Sequence, residues 1–386
     1  LLRRRRAMAV GDTLADLASG ALAQPNGTET LLLVEIALLG LILTQLSRLE
    51  TRLRPVLAAA GPTSPRAQPS RPTSPRKPRQ ISSNPPTMET LLPDAAKKDF
   101  GPVEEWSPLT TEELDVARRV RLWLGAERFD KVPYDLLVTF IRGYAYRTDW
   151  AESTFVYLER ALKWRSENGI DGILCNTPAK RETFEAVCPS GPVGFDADGH
   201  MVICERLGRT DVTRLFAHFD EDQYITHQAF SREVVRAYCT ANSIRRQKRL
   251  YKVVVLLDMK SMGMAHVSKR LMSIVKTVNS LFGWYYPETV HKFYVINAPL
   301  VFRTAWSIIR PLVHPITAAK FHILGPDWRT RVRAAGIQIK GGDLPDSLPS
   351  WSAEAQRLIQ EYSGPVLDAG WMPPDDLKAM AELDRF

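Results

Sequence analysis

The fold class is decided by residues 285–325, which read YYPETVHKFYVINAPLVFRTAWSIIRPLVHPITAAKFHILG. Lys292–Asn297 alternates and is rich in β-branched and aromatic residues, which predicts a buried strand ending at Asn297-Ala298-Pro299. A helix should follow, because the next apolar residues recur at three-and-four spacing. These residues are Phe302, Ala305, Trp306, Ile309, Leu312 and Val313. Prolines 311 and 315 predict a loosened helix end, and Ala319–Leu324 predicts a second strand.

Two charged residues stand out in this strand, helix, strand pattern. Glu288 follows a Tyr-Tyr-Pro turn, and Lys320 begins a strand that is otherwise apolar. Charges seldom stay near a core unless they are paired or given a ligand. The simpler interpretation is a surface Glu and a strand-edge Lys, and the alternative is a ligand site.

The composition is that of a globular protein with a basic N-terminal segment. The chain has 386 residues, of which 45% are hydrophobic and 24% charged, and its formal net charge is +8. Residues 1–87 hold 12 of the 51 Lys and Arg and 5 of the 43 acids, so the remainder carries 39 against 38, or +1. A basic footprint for nucleic acid on the globular part is therefore not expected. The four cysteines lack metal-ligand spacing, which predicts free thiols, namely Cys175, Cys188, Cys204 and Cys239.

Residues 1–54 are an uncertain segment with a short apolar helix over Leu31–Leu46. Its 16 residues include Glu35 and are short for a membrane span of about 20. A membrane anchor, an interfacial or packed helix, and a segment absent from the functional protein all remain open. Residues 55–87 contain nine prolines with Ser, Thr and Arg, which predicts a disordered linker. Met88 is a candidate start of the functional protein.

The rest of the chain predicts a helical subdomain over residues 105–175, an α/β domain over 176–342 and a C-terminal tail over 343–386. Three helices are expected first, beginning after a capping box at Thr110 and at Tyr134 and Trp150. In the α/β part, strands at Met201–Leu207 and Lys252–Asp258 alternate with helices at 223–241 and 269–282. This order predicts a mixed, mostly parallel sheet covered by helices.

The search for catalytic or metal motifs is negative. The chain has no GxxxxGK[ST], GxGxxG, HExxH or GxSxG sequence. The Asp196-Ala197-Asp198-Gly199 run indicates a turn rather than a calcium loop, because Leu207 stands where the last glutamate ligand would be. Asp258 at a strand end is expected to cap the following turn. We therefore predict no catalytic residue, metal or cofactor, and a cavity with a few polar anchors.

Seven motifs in a fixed order add a family resemblance. They are FIR (140–142), KWR (163–165), FDADGHMVICERLG (195–208), LLDMKSMG (256–263), YYPE (285–288), FYVINAP (293–299) and PITAAKFHILG (315–325). From about residue 134 to 342 the chain resembles the CRAL-TRIO lipid-binding domains. The resemblance is to the phosphatidylinositol transfer proteins of the secretory pathway in yeast and plants in particular.

The resemblance implies an α/β fold of CRAL-TRIO type, with an N-terminal three-helix subdomain and a sheet that floors a lipid pocket. The helix over residues 301–313, with the apolar residues given above, becomes the gate over that pocket. The head-group residues of the family correspond to Glu288, Thr317 and Lys320. Two departures matter. Tyr144 stands where the family has a phosphate-binding Arg, and apolar residues replace the hydroxyls for a choline lipid at Ile203, Val253 and Val255.

The function implied is that of a monomeric, cytoplasmic lipid-transfer protein that contacts membranes transiently and peripherally. It would bind a phospholipid, phosphatidylinositol, and transfer or present it between membranes without enzymatic activity. Residues 1–54, where retained, could add a membrane anchor. The alternative is a lipid-sensing module that binds a sterol or tocopherol-like ligand and acts through a protein partner. A lipid-modifying enzyme is disfavoured because a nucleophile motif is missing.

Overall fold

Five helices precede the first strand of the computed structural model, which describes residues 104–300, 302–303, 306 and 319–383. They are α1 (Thr111–Leu124), α2 (Ala126–Phe129), α3 (Tyr134–Gly143), α4 (Trp150–Glu167) and α5 (Arg181–Val187). The predicted capping box is present, because Thr110 and Glu113 each accept the other's backbone N–H. The single turn α2 was not predicted. The apolar segment at 31–46 and the linker at 55–87 lie outside the described residues.

Helices α1, α3 and α4 share one apolar core, to which Trp123, Phe140 and Phe155 contribute. Arg142, the last residue of the FIR motif, is buried in this bundle. Its Nε lies 2.8 Å from Oε1 of the buried Glu113, and its other nitrogens donate to the carbonyl oxygens of Glu105 and Ser107. Arg142 therefore holds the segment before α1 against the bundle.

Six strands form one sheet. They are β1 (Ser190–Phe195), β2 (Met201–Glu205), β3 (Val253–Asp258), β4 (Val290–Ile296), β5 (Phe321–Ile323) and β6 (Gln338–Ile339). Their order is β5-β4-β3-β2-β1-β6, with β2 to β5 parallel and β1 antiparallel to both of its neighbours. The predicted mixed, mostly parallel sheet is confirmed.

Seven further helices surround the sheet in the described residues. They are α6 (Val212–His218), α7 (Glu221–Arg246), α8 (Lys269–Tyr285), α9 (Trp328–Ala334), α10 (Trp351–Tyr362), α11 (Gly364–Ala369) and α12 (Pro374–Ala381). Helix α7 is longer than predicted at both ends. It begins at a capping box of Asp220 and Gln223, and its last turn takes in Arg245 and Arg246, where cations complement the helix dipole. In the described part of the chain, no helix has the length and apolar composition needed to cross a membrane.

The two faces of the sheet have different covers. On one face, Ile203 and Val255 pack with Phe230 and Val234 of α7. On the other face, the alternate strand residues, such as Cys204 and Leu256, pack against Trp328 and Val332 of α9. Alternation along each strand thus assigns one set of side chains to each helical layer.

Strand β5 is shorter than the predicted Ala319–Leu324, and this prediction was wrong at its start. Ala319 and Lys320 are helical, and the strand begins only at Phe321. Since β5 ends the sheet and pairs with β4 alone, few ladder bonds favour a longer strand. Strand β4 ends one residue earlier than predicted, where Asn297 takes a φ of 53°.

Two predicted turns are confirmed, one between β1 and β2 and one after β3. Oδ1 of Asp196 accepts the backbone N–H groups of Asp198, Gly199 and His200, which closes the β1–β2 turn. Oδ1 of Asp258 accepts the backbone N–H of Lys260 at 2.9 Å. The four cysteines are free thiols, as expected.

The C-terminal tail is anchored to the core by Asp376. Its carboxylate accepts the backbone N–H of Leu109 at 2.9 Å and hydrogen bonds from Tyr134 and Arg249. The side chains of Asp376 and Arg249 are each only 2% exposed. Because a buried charge without its partner is costly, the tail is coupled to the stability of the whole domain.

We expect Asp376→Ala to lower the free energy of unfolding by about 3 kcal/mol, since it leaves Arg249 buried without its carboxylate. The matched control is Asp375→Ala, because the side chain of Asp375 is 76% exposed. The control should change stability by less than about 0.5 kcal/mol. Urea unfolding followed by circular dichroism measures both, and equal effects of the two substitutions would contradict the anchoring role.

A second buried charge cluster joins the β1–β2 turn to the segment before α1. The His200 ring lies with Nδ1 2.8 Å from Asp196 Oδ2 and Nε2 3.2 Å from Glu105 Oε1. Burial lowers the pKa of His200, but the hydrogen bond with Asp196 and the nearby charges of Asp196 and Glu105 raise it more, to about 9. The ring is therefore a charged bridge between two carboxylates at neutral pH.

The charged His200 ring predicts a pH dependence of stability. The folded state holds this proton up to a pH of about 9, whereas the unfolded state releases it near a pH of about 6.5. The contribution, about 3 kcal/mol, is thus complete below pH ~6.5 and lost as the pH rises through ~9. Denaturant unfolding at a series of pH values should show this loss in the wild type and not in His200→Gln. Substitution of the exposed His218 by Gln is the control and should keep the slope.

Candidate functional site

Three charged side chains meet at the amino edge of the parallel strands. Lys252 immediately precedes β3, Glu288 lies in the turn before β4, and Lys320 immediately precedes β5. Nζ of Lys252 lies 3.1 Å and Nζ of Lys320 lies 3.2 Å from the same oxygen, Oε2 of Glu288. The predicted pair of Glu288 and Lys320 is therefore brought together, and Lys252 joins it. Sequence reasoning missed Lys252 because it reads as the first residue of a buried strand.

The turn that carries Glu288 is held from two sides. The hydroxyl of Tyr286 donates to the buried Glu233 of α7 at 2.6 Å. Pro287 packs so closely on the end of α3 that a Cβ added at Gly143 would lie 2.7 Å from Pro287 Cβ. The backbone N–H of Val253 donates to Thr289 O at 3.0 Å, which fixes the Lys252 and Glu288 segments side by side.

Glu288 itself has a φ of 57°, in the left-handed region. A side chain with a Cβ costs about 1–2 kcal/mol in this conformation, which glycine adopts readily. The position nevertheless carries a carboxylate that two lysines surround. Strain of this kind collects at binding sites, where the surrounding structure imposes it.

The lysines keep Glu288 ionised. Burial raises the pKa of its carboxyl, but the charges and hydrogen bonds of Lys252 and Lys320 lower it below its ordinary value. Two ammonium groups and one carboxylate leave a net positive charge at this edge. Since Glu288 and Lys320 are each 28% exposed, this charge remains open to a ligand from the solvent.

An apolar row begins beside these charges and crosses four strands in register. Its members are Ile203, Val255, Phe293 and Phe321. The first described residues of the predicted gate helix cover the far end of the row. Phe302 is buried against Val295, and the Trp306 ring lies 5.8 Å from the Phe321 ring between centroids. The sheet therefore offers a polar edge and an adjoining apolar face.

Two small cavities lie between α7 and this apolar face. One of about 80 Å³ is lined by Ile203, Leu257 and Val235, among others. The other, of about 30 Å³, is lined by Val253, Val235 and Thr289, among others. Typical pockets for small molecules measure about 300–1,000 Å³. These two cavities are smaller than such a pocket.

Several predicted site residues lie outside the described residues. They are Thr317 of the head-group set and Ala305, Ile309, Leu312 and Val313 of the gate. Tyr144, which stands at the expected arginine position, is buried in the helical bundle and stacks on Tyr157 at 4.6 Å between ring centroids.

The β1–β2 turn and strand β4 together hold a group of side chains with metal-ligand chemistry, since ligand atoms of Asp196, Asp198 and His200 in the turn and of His291 on β4 lie within 4.8 Å of one another. A metal-binding imidazole needs a free lone pair. His200 lacks one when it is protonated between Asp196 and Glu105. The arrangement fits a structural charge bridge better than a metal site.

Comparison with known proteins gives a match to this part of the chain. The family model described as the CRAL/TRIO domain matches residues 189–334. The chain is 27% identical over 256 residues to the phosphatidylinositol/phosphatidylcholine transfer protein SFH12 of Arabidopsis thaliana, covering 65% of this chain and 45% of that protein. It is 27% identical over 270 residues to the SEC14 cytosolic factor of Eremothecium gossypii, covering 68% of this chain and 86% of that protein.

The Sec14 cytosolic factor of Schizosaccharomyces pombe is also 27% identical, over 238 residues that cover 61% of this chain and 80% of that protein. Among solved structures, the crystal structure of Sfh5 matches with a TM-score of 0.41 and 19% identity, covering 59% of this chain and 82% of that chain. The chain spans less than half of the length of several plant relatives, namely 45%, 37% and 42% of three of them. The family match includes Lys252, Glu288 and Lys320, and residues 189–334, which hold strands β1 to β5, are therefore similar to a CRAL/TRIO domain.

Proposed function

We propose that this chain binds one phospholipid, phosphatidylinositol, and transfers or presents it between membranes. The lipid's head group lies at Glu288, Thr317 and Lys320, and its acyl chains lie against the apolar face. The protein acts as a monomer that contacts membranes peripherally and catalyses no reaction. The observation that carries the proposal is the Lys320–Glu288 pair, 3.2 Å apart, at the polar edge of an apolar row of strand residues.

The chemistry of the pair suits this head group. The ammonium of Lys320 is a compact charge for a phosphate oxygen, and the ionised Glu288 accepts hydrogen bonds from inositol hydroxyls. Thr317 adds a hydroxyl donor in the proposed set. Related proteins named as phosphatidylinositol/phosphatidylcholine transfer proteins support the choice of ligand.

The apolar face suits the acyl chains. Each methylene removed from water contributes about 0.8 kcal/mol, so a dry face can match the bilayer interior. The gate in this proposal is the predicted helix over residues 301–313, of which the described residues Phe302 and Trp306 contact the sheet. When the gate opens, its apolar residues meet the membrane, and when it closes they cover the lipid.

The apolar row also supports a second candidate. Ile203, Val253 and Val255 offer no side-chain hydrogen bond to a zwitterionic head group inside the pocket. A sterol or tocopherol-like ligand, sensed on behalf of a protein partner, is therefore the alternative function. The lipid that the protein retains distinguishes the two.

The first experiment identifies the ligand and tests its site. The full chain should copurify with phosphatidylinositol, detected by mass spectrometry, and should transfer it between vesicles. The double substitution Glu288→Ala and Lys320→Ala should reduce this transfer by at least roughly tenfold without unfolding the protein, because charge-assisted hydrogen bonds are lost.

The control for that experiment is the exposed pair Asp327 and Arg331 on α9, whose side chains are 64% and 69% exposed. Replacing both by Ala should leave transfer unchanged. Absence of bound and transferred phosphatidylinositol would refute the function, and a sterol in its place would support the alternative. Transfer that survives the loss of Glu288 and Lys320 would refute the head-group assignment only.

The second experiment tests the gate. Trp306→Asp should slow transfer between vesicles, since a charge on the apolar side opposes contact with the bilayer, and lipid loaded beforehand should stay bound during gel filtration. Leu377→Asp on α12, at a position that is 58% exposed, is the control and should transfer normally. Unaltered transfer by Trp306→Asp would contradict a gate at this helix.

A further inference from the structure

Lys252 belongs to the charged cluster but lies outside the proposed head-group set of Glu288, Thr317 and Lys320. It lies on β3's amino side, and its Nζ is 3.1 Å from Glu288 Oε2, the oxygen that Lys320 also approaches. Its side chain is 14% exposed, half the value of Lys320. A lysine this enclosed must keep a partner for its charge.

The ammonium of Lys252 stays charged at neutral pH. Burial lowers its pKa, but Glu288 and Tyr251 raise it above its ordinary value. A single carboxylate oxygen therefore faces two ammonium groups. Glu105 adds a weaker attraction to Lys252 from a distance, but its carboxylate already faces His200. The cluster retains positive charge that a negatively charged ligand could neutralise.

Lys252 places this charge at the amino edge of the sheet, against Glu288. Its neighbours Tyr251 and Val253 line the cavity of about 30 Å³ under α7, as does Thr289, the neighbour of Glu288, whereas the Lys252 side chain does not. A ligand with an acyl part against the sheet would carry its polar part to Glu288, which both lysines contact. Each ammonium has three donors, so together they can hold both free oxygens of a phosphodiester.

We propose that Lys252 is a second phosphate-binding lysine that makes this site selective for anionic phospholipids whose head group carries hydroxyls. This inference rests on the proposed function and adds a residue to it. The phosphate lies between Lys252 and Lys320, and Glu288 turns from the lysines to the hydroxyls of the head group. A choline head group would bring a cation toward two lysines, which disfavours zwitterionic lipids.

The test compares Lys252→Met with Lys260→Met, which removes an exposed lysine just beyond the other end of the same strand. Full-length protein is incubated with phosphatidylcholine vesicles that contain phosphatidylinositol, and transfer of each lipid is measured separately. Loss of one charge-assisted bond should reduce phosphatidylinositol transfer by roughly ten- to a hundredfold in Lys252→Met. Phosphatidylcholine transfer by Lys252→Met should not fall below the wild-type level, and transfer of both lipids by Lys260→Met should equal that of the wild type.

Lys252→Arg keeps the charge and should retain most of the selectivity. If Lys252→Met unfolds, Lys252→Gln is used in its place. A structural role alone would lower the melting temperature and both transfer rates together, leaving their ratio unchanged, and that result would overturn the proposal. Normal phosphatidylinositol transfer by Lys252→Met, when Lys320→Met has lost it, would also overturn it. If the wild type transfers no phosphatidylinositol, the proposed function itself fails.

Discussion

The buried carboxylate of Glu233 joins the parts of the molecule that form the site. It lies 2.6 Å from Arg165 of α4 and 3.1 Å from Arg236 of α7, and it accepts the Tyr286 hydroxyl at 2.6 Å. Burial raises the pKa of Glu233, but the two guanidinium groups lower it to about 2. Because a buried charge without its partners is costly, the bundle, α7 and the YYPE turn must be in place together. This constraint positions Glu288 at the amino edge of the sheet.

The chain uses its two kinds of cation differently. Apart from the His200 bridge, the most enclosed ion pairs of the described residues are made by arginines, such as Arg142 with Glu113 and Arg249 with Asp376. A guanidinium can hold a carboxylate with several fixed hydrogen bonds, which suits a permanent structural contact. The cations around Glu288 are lysines, each within reach of a single oxygen. A lysine on a flexible stem can exchange that oxygen for another anion, which suits a site that binds and releases.

Local patterns predicted much of the fold. The alternation in residues 292–297 and the capping residues at Thr110 correspond to elements that form where expected, because these signals depend on near neighbours. Contacts between residues that are distant in the sequence were not predicted. Lys252 reads as part of a buried strand, and only the parallel pairing of β3 with β4 sets it beside Glu288. The arginines of FIR and KWR belong to motifs of the resemblance, yet their work here is structural, since Arg142 and Arg165 bind buried glutamates. Spacing along a chain does not reveal which carboxylate a cation will meet.

The separation of polar edge and apolar face bears on how such a site could release its ligand. Ion pairs that are partly exposed are worth only about 0–1 kcal/mol each, because water screens them. The two ion pairs of Glu288 are therefore weak enough for a phosphate to replace its carboxylate between the lysines, and for the carboxylate to return when the lipid leaves. The acyl chains contribute far more, about 0.8 kcal/mol per methylene, but the bilayer offers them the same gain. In the proposed function, the apolar face thus makes extraction possible without favouring any one lipid. In the same proposal, the head-group contacts at Lys252, Glu288 and Lys320 decide which lipid is carried.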